Sequence, residues 1–214
     1  MPRRVGSALL LLVLSACSKS ATTTASDPPT GSPAPRGALS QTQLHRLLLT
    51  PADLPGTSSR REFAGPELTT QPTPQLALCR GQQAQQPHQL ASVIAKPTKP
   101  GDVQTFELVS AFPSANGATQ AFDNAVADAK ACRSYKVEGA TFTVEDLKAT
   151  AVPAPARAMQ YRLMTKDVLG RDTRTVVQSG RFVVLISGFG LPPAGQTLLT
   201  YQAAIAAKAV ARLH

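Results

Sequence analysis

The sequence predicts an α+β domain, a mostly antiparallel sheet of about five to six strands with helices packed on one face. Two segments, residues 114–132 and 194–213, carry apolar residues at helical spacing. The segments between them alternate polar and apolar residues with a period of two, and short links join them, which favours antiparallel pairing. Of the 214 residues, 43% are apolar and 16% charged, which is enough for one buried core.

The first seventeen residues have the features of an export signal. Arg3 and Arg4 precede a short Leu-rich stretch that ends in Leu14-Ser15-Ala16-Cys17. This stretch is too short to span a membrane stably. Its last four residues resemble the lipobox of bacterial lipoproteins, which implies cleavage before Cys17 and lipid acylation of that residue, with palmitate as a typical acyl group. The alternative is an ordinary signal peptide in which the cysteine occurs by chance.

Three parts follow from this reading of the chain. Residues 1–16 are the predicted lipoprotein signal peptide, 17–39 the lipidated cysteine with a Ser/Thr/Pro tether, and 40–214 a single α+β domain. The tether has no apolar period and cannot bury enough surface to offset its ordering entropy, so we expect it to be disordered. It serves either as a spacer across the cell wall or simply as a linker.

The domain is predicted to begin with short helical turns. Ser40 and Gln43 match a capping box, and Leu44, Leu47 and Leu48 form one apolar face after it. A second turn starts at Thr50-Pro51. Residues 56–74 are predicted to be a loop, and residues 75–86 a short helix that contains Cys79.

Six segments have the pattern of strands: 89–96, 103–109, 141–150, 157–166, 172–178 and 181–187. The last is continuously apolar, which is typical of a central strand covered on both faces. Glu145 and Asp146 are adjacent on a predicted strand, so we expect them to face opposite sides. Ser114 is the predicted cap of the helix at 114–132. The C-terminal helix carries an apolar stripe of Leu199, Ala203, Ala206, Val210 and Leu213.

The chain contains three cysteines. If Cys17 carries lipid, Cys79 and Cys132 remain as an even pair in an exported chain, which predicts a disulfide between them. The competing interpretation is a redox-active or metal-binding pair. No second cysteine or histidine lies near either residue in the sequence, which favours the disulfide.

Several short motifs occur together in a known order. After the lipobox and tether come Leu-Leu-Leu-Thr-Pro-Ala-Asp-Leu at 47–54 and Phe-Pro-Ser-Ala at 112–115, then a cysteine after the helix and an Ala-rich C-terminal helix. This order resembles actinobacterial secreted lipoproteins with a sensor-type domain, similar to the extracellular domain of PknH-type receptor Ser/Thr kinases. The resemblance implies an α+β fold, disulfides and an extracytoplasmic ligand. Kinase-linked members generally carry two disulfides, whereas this chain has cysteines for one.

Catalytic signatures are absent from the sequence. It contains no Gly-x-Ser-x-Gly, His-Glu-x-x-His, phosphate-loop or Gly-x-Gly-x-x-Gly motif, and its three histidines are dispersed. We therefore predict no enzyme activity, no cofactor and no metal. Removal of Arg3 and Arg4 with the signal peptide lowers the formal net charge from +9 to +7, which suits apposition to anionic lipid or wall polymer. The basic residues form no cluster interleaved with aromatics, so nucleic acid is not an expected partner.

The sequence thus predicts a lipoprotein on the outer face of the cell membrane, held there by lipid on Cys17, with a non-enzymatic domain that binds an envelope small molecule, glycan or protein. An envelope-anchored hydrolase and a lipid carrier are the alternatives. The ligand-binding residues are unknown at this stage. The polar side of two hairpin strands, with Gln160, Arg162, Arg174 and Gln178, is the expected binding surface, and an ordinary solvated sheet face is the alternative interpretation.

Overall fold

The computed structural model describes residues 37–54, 59–62, 78–79, 89–97, 102–137, 140–165, 171–192 and 194–214. The predicted signal peptide, Cys17 and the tether as far as residue 36 lie outside these residues. So does most of the helix predicted at 75–86, of which only Leu78 and Cys79 are described, in a bend. No helix of the described part is long and apolar enough to cross a membrane.

One antiparallel sheet organises the domain. Its eight described strands lie in the order β1-β2-β3-β8-β7-β6-β5-β4. Their bounds are β1 Ser59–Glu62, β2 Gln89–Pro97, β3 Gln104–Ala111, β4 Ser134–Val137, β5 Ala140–Thr150, β6 Arg157–Thr165, β7 Arg171–Ser179 and β8 Phe182–Phe189. The six predicted strands are all present, and the two additional strands are the four-residue edges β1 and β4. The predicted loop at 56–74 is therefore wrong where it includes β1.

Three α-helices and one 3₁₀ turn accompany the sheet: α1 Gln41–Arg46, the turn Pro51–Asp53, α2 Ala115–Ala131 and α3 Leu198–Arg212. The predicted caps are in place. Ser40 forms a capping box with Gln43, and Ser114 Oγ accepts a hydrogen bond from the Gly117 amide at 3.1 Å. Thr197 begins α3 in the same way, by accepting from the Thr200 amide.

Helices cover both faces of the sheet, which corrects the prediction that they lie on one. On one face, α1 and α3 pack on alternate sheet residues such as Val184 and Ile186. On the other face, α2 packs on the intervening residues, such as Val183 and Leu185. We call these the α3 face and the α2 face. The continuous apolar run of β8 is the local cause, because side chains alternate between the two faces and both are buried.

A bulge interrupts the pairing of β5 with β6. The register shifts between Glu145 and Lys148, and Asp146 has a positive φ of 50°. Because the extra residue breaks the alternation of side chains, both carboxylates reach the same guanidinium, that of Arg162. The expectation that Glu145 and Asp146 face opposite sides is therefore wrong.

Candidate binding site

A half-buried polar cluster lies on the α2 face, near the end of the sheet where β7 begins. Its centre is Asp172, which sits beside Phe189 of β8 in the strand register. Arg174 Nε donates to Asp172 Oδ2 at 3.1 Å, and Ser187 Oγ donates to Oδ1 at 2.6 Å. Both carboxylate oxygens are therefore engaged, and the carboxylate holds the arginine in a fixed orientation.

Two tyrosines complete the cluster. Tyr161 lies opposite Arg174 in the register and is 1% exposed, and Tyr135 stacks on Phe142 with ring centroids 5.4 Å apart. Burial raises the pKa of Tyr161 to about 12 and also raises the pKa of Tyr135. Both hydroxyl groups therefore stay protonated at physiological pH, and the Tyr161 hydroxyl accepts a hydrogen bond from the Arg174 guanidinium.

Arg174 supplies the positive charge of the cluster. Burial acts to lower its pKa, but the nearby carboxylate of Asp172 outweighs this and leaves the pKa raised. The side chain is 22% exposed, so it is mostly buried but still in contact with solvent. A fixed guanidinium recognises carboxylates, phosphates and carbonyl oxygens.

Apolar side chains border this polar centre. Phe106 lies opposite Ser187 in the register and is partly buried, and Phe189 beside Asp172 is 49% exposed. Leu191, two residues further on, is 72% exposed. A few oriented polar groups surrounded by apolar and aromatic surface are typical of a small-ligand site. Within the described residues, no group of three His, Cys, Asp or Glu side chains is placed to hold a metal ion.

The four side chains expected on one polar surface are divided between the two faces. Gln160 is buried on the α3 face, where its Nε2 donates to Leu199 O at 2.9 Å and to Thr175 Oγ1 at 3.1 Å. Arg162 lies on the same face, paired with the carboxylates at the β5 bulge. Arg174 and Gln178 belong to the α2 face, and Gln178 is nearly buried beside Gly180. The expected surface is therefore wrong, and only Arg174 belongs to the cluster.

Sequence reasoning missed most of the cluster. It did not single out Asp172, which forms a half-buried ion pair with Arg174 in the structure. Ser187 and Tyr135 lie on other strands than Asp172, so no local motif joins them to it. The usable signal in the sequence was an acidic and a basic residue two positions apart on one strand, Asp172 and Arg174.

Beyond this cluster, the structure joins Cys79 and Cys132 in a disulfide with Cα atoms 5.6 Å apart. The Asp128 carboxylate of α2 supports the same segment, because its Oδ2 accepts from the amides of Leu78 and Cys79 at 2.5 and 3.2 Å. The disulfide and these two hydrogen bonds fix residues 78–79 to the C-terminal end of α2.

No protein-family model matches the chain, and no curated protein matches it in sequence. Among solved structures, the extracellular domain of PknH from Mycobacterium tuberculosis is similar, with a TM-score of 0.57 and 18% identity over 82% of this chain and 96% of that one. The predicted resemblance is thereby confirmed at the level of the fold. An uncharacterized protein from Mycobacterium smegmatis matches with a TM-score of 0.37 and 13% identity over 60% of this chain and 65% of that chain.

Proposed function

We propose that this chain is an exported lipoprotein whose domain binds a ligand on the outer side of the cell membrane and does not catalyse a reaction on it. The observation that carries the proposal is the Arg174–Asp172 pair, which is fixed, half-buried and bordered by tyrosines and exposed apolar side chains. This combination suits recognition of an oxygen-rich group next to an apolar one.

The fold supports an extracytoplasmic role. The solved domain with the similar fold is the extracellular part of PknH, and that similarity covers most of the present chain. The N-terminal sequence supports the same compartment independently, because the lipobox-like Leu14-Ser15-Ala16-Cys17 predicts lipid at the start of the mature chain. The ligand is an envelope small molecule, glycan or protein.

The chemistry of the cluster favours binding over hydrolysis. The Ser187 hydroxyl donates its proton to a carboxylate that already holds Arg174. A serine nucleophile needs a base that can accept its proton, usually an oriented histidine, and the described part of the cluster contains none. The groups present are donors and fixed charges, which position a ligand.

A thermal-shift screen of envelope glycans, peptides and carboxylated or phosphorylated small molecules, run beside assays for ester and glycoside turnover, tests this function. We expect at least one compound to raise the melting temperature without turnover, and the shift to disappear in Arg174→Met. Arg46→Met, an exposed arginine of α1, is the matched control and should keep the shift. Turnover that a single substitution abolishes would overturn the binding proposal. An unchanged melting-temperature shift in Arg174→Met would overturn the assignment of the site to the Arg174–Asp172 pair.

A further inference from the structure

A row of polar side chains crosses the middle of the α3 face. In the strand register, Thr173 of β7 lies opposite Arg162 of β6 on one side and Gly188 of β8 on the other. Gly188 in turn lies opposite Thr105 of β3. Directly opposed residues share one face of a sheet, so Arg162, Thr173, Gly188 and Thr105 form one line across four strands.

Each side chain of this row has a buried polar atom without a hydrogen-bond partner among the described residues. These atoms are Arg162 Nε, Thr173 Oγ1 and Thr105 Oγ1. Thr173 is 0% exposed and Thr105 is 2% exposed. Buried polar atoms in folded proteins almost always have a partner, and buried water supplies one where the surrounding protein groups do not.

Gly188 has no side chain, and Gln202 of α3 fills the space above it. A Cβ on Gly188 would collide with Gln202 Nε2, and that Nε2 is a fourth buried atom without a partner in the described part of the chain. The amide orientation is fixed by the bonds around it, because Gln160 Nε2 donates to Thr175 Oγ1, which donates to Gln202 Oε1 at 3.0 Å. The amide NH₂ therefore points to Gly188.

We propose that this row holds buried water molecules between the sheet and the helical layer of the α3 face. Neighbouring strands are about 4.8 Å apart. A water with hydrogen bonds of about 2.8 Å on each side spans that distance. Water can both donate and accept, as two hydroxyls, an amide NH₂ and a guanidinium N–H in one line require.

Space and charge both favour water over an anion. Thr105 also lines a small pocket under residues 49–54, where the volume open to a water centre is about 10 Å³, close to the need of one water molecule. Glu107 lines the same pocket, and Arg162 is already paired with Glu145 and Asp146. These carboxylates repel a small anion but not water.

The isosteric change Thr173→Val should shift the melting temperature in one direction if the row holds water and in the other if it is dry. If water occupies the row, loss of the hydroxyl leaves a buried water short of a bond, and we expect the melting temperature to fall by about 2–4 °C. If the row is dry, removing an unsatisfied hydroxyl raises the melting temperature, which would overturn the proposal. Thr105→Val should behave in the same way. Thr141→Val is the control for the general effect of replacing a threonine by valine on a strand, because Thr141 is half-buried and lies outside the row.

A direct readout separates bound water from a merely structural effect. Water–protein NMR cross-relaxation should show a long-lived water at the Thr173 and Thr105 methyl groups of the wild-type chain, and no such signal at Thr141. Absence of that signal at Thr173 contradicts the proposal. A melting temperature that rises with inorganic phosphate in the wild type, but not in Arg162→Met, would assign the row to an anion and also contradict it.

Discussion

Gly188 shows how much one missing side chain decides in the centre of this sheet. Its backbone needs no positive φ, so the requirement for glycine there is steric: Gln202 occupies the space that a Cβ would take. Gln202 is fully buried and hydrogen-bonded to Thr175, so it cannot move aside without losing that bond. The residue is therefore selected by packing between β8 and α3, and not by a turn.

Gly188→Ala should accordingly destabilise the domain. Overpacking of a buried site costs about 1–3 kcal/mol in unfolding free energy. Urea denaturation of the wild type and the variant measures the loss. The double variant Gly188→Ala/Gln202→Ala is the internal control, because the added methyl group should cost less once the opposing amide is removed. Equal stability of Gly188→Ala and wild type would show that the helix and strand separate more easily than the structure indicates.

At the scale of elements, the 3₁₀ turn is attached to the end of α3 by one ion pair. Arg212 Nε donates to Asp53 Oδ2 at 2.8 Å, and Arg212 Nη2 donates to Thr50 Oγ1 at 3.0 Å. The amide of Thr50 also donates to Asp53 Oδ2 at 2.7 Å. Burial acts to raise the pKa of Asp53, but the bonds from Thr50 and Arg212 outweigh it, and the pKa is lowered.

A lowered carboxyl pKa makes this attachment sensitive to acid. Its contribution to stability is present above the pKa of the unfolded chain, about 3.9, and is lost as the pH falls through the lower pKa of the folded state. Asp53→Asn should therefore be less stable than wild type at pH 7, and the difference should shrink on acidification below about pH 4. Chemical denaturation at both pH values measures this.

The exposed pair of Asp123 with Arg157 is the control for Asp53, since its carboxylate is 57% exposed and such pairs contribute little. Asp123→Asn should leave both stability and its pH dependence nearly unchanged. An Asp53→Asn variant with the same acid profile as wild type would contradict the assigned role of the Asp53–Arg212 pair.

The disulfide joins elements that are far apart in sequence. It closes a separation of 53 residues, for which loop entropy gives a stabilisation of about 4 kcal/mol. We expect Cys79→Ser/Cys132→Ser to lose up to this amount in urea denaturation. Mass mapping of non-reduced peptides is the accompanying check, and free thiols at both positions in the exported protein would refute the disulfide.

The sequence predicted those elements whose pattern is local. All six strands with an extended alternation are present, and so are the caps at Ser40 and Ser114. β1 and β4 were missed because four-residue edge strands, Ser-Arg-Arg-Glu and Ser-Tyr-Lys-Val, are too short to establish a period. The second helical layer was missed although the apolar run of β8 had already indicated burial on both faces.

The candidate site was harder to predict because the sequence does not give the register between paired strands. Gln160 and Arg174 looked equivalent as polar residues of one hairpin. The observed register instead opposes Gln160 to Thr175 and Arg174 to Tyr161, which places them on opposite faces. A shift of one residue exchanges the faces of every side chain, and alternation within a single strand cannot fix that shift.

At the scale of the whole molecule, the two faces of the sheet have different contents. The α3 face is closed by α1, the 3₁₀ turn and α3, and contains the buried polar row and most of the small aliphatic core. The α2 face contains the aromatic core together with the Arg174–Asp172 cluster. In the proposed function, ligand recognition belongs to the α2 face and the α3 face is mainly structural. Substitutions in the buried row should therefore change stability without changing ligand specificity.

The last prediction concerns attachment of the whole molecule to the membrane. Cys17 follows a basic segment and a short apolar stretch, in the context Leu14-Ser15-Ala16-Cys17. Two or more acyl chains anchor a protein stably, whereas one chain binds only marginally, so a lipidated Cys17 should hold the chain in the membrane fraction. Cys17→Ala should move it to the soluble fraction or leave an uncleaved precursor. The double variant Cys79→Ser/Cys132→Ser, which removes the other two cysteines, should stay membrane-bound. Wild-type protein found soluble, with cleavage at another residue, would refute the anchor while leaving ligand binding by the domain to be decided by its own test.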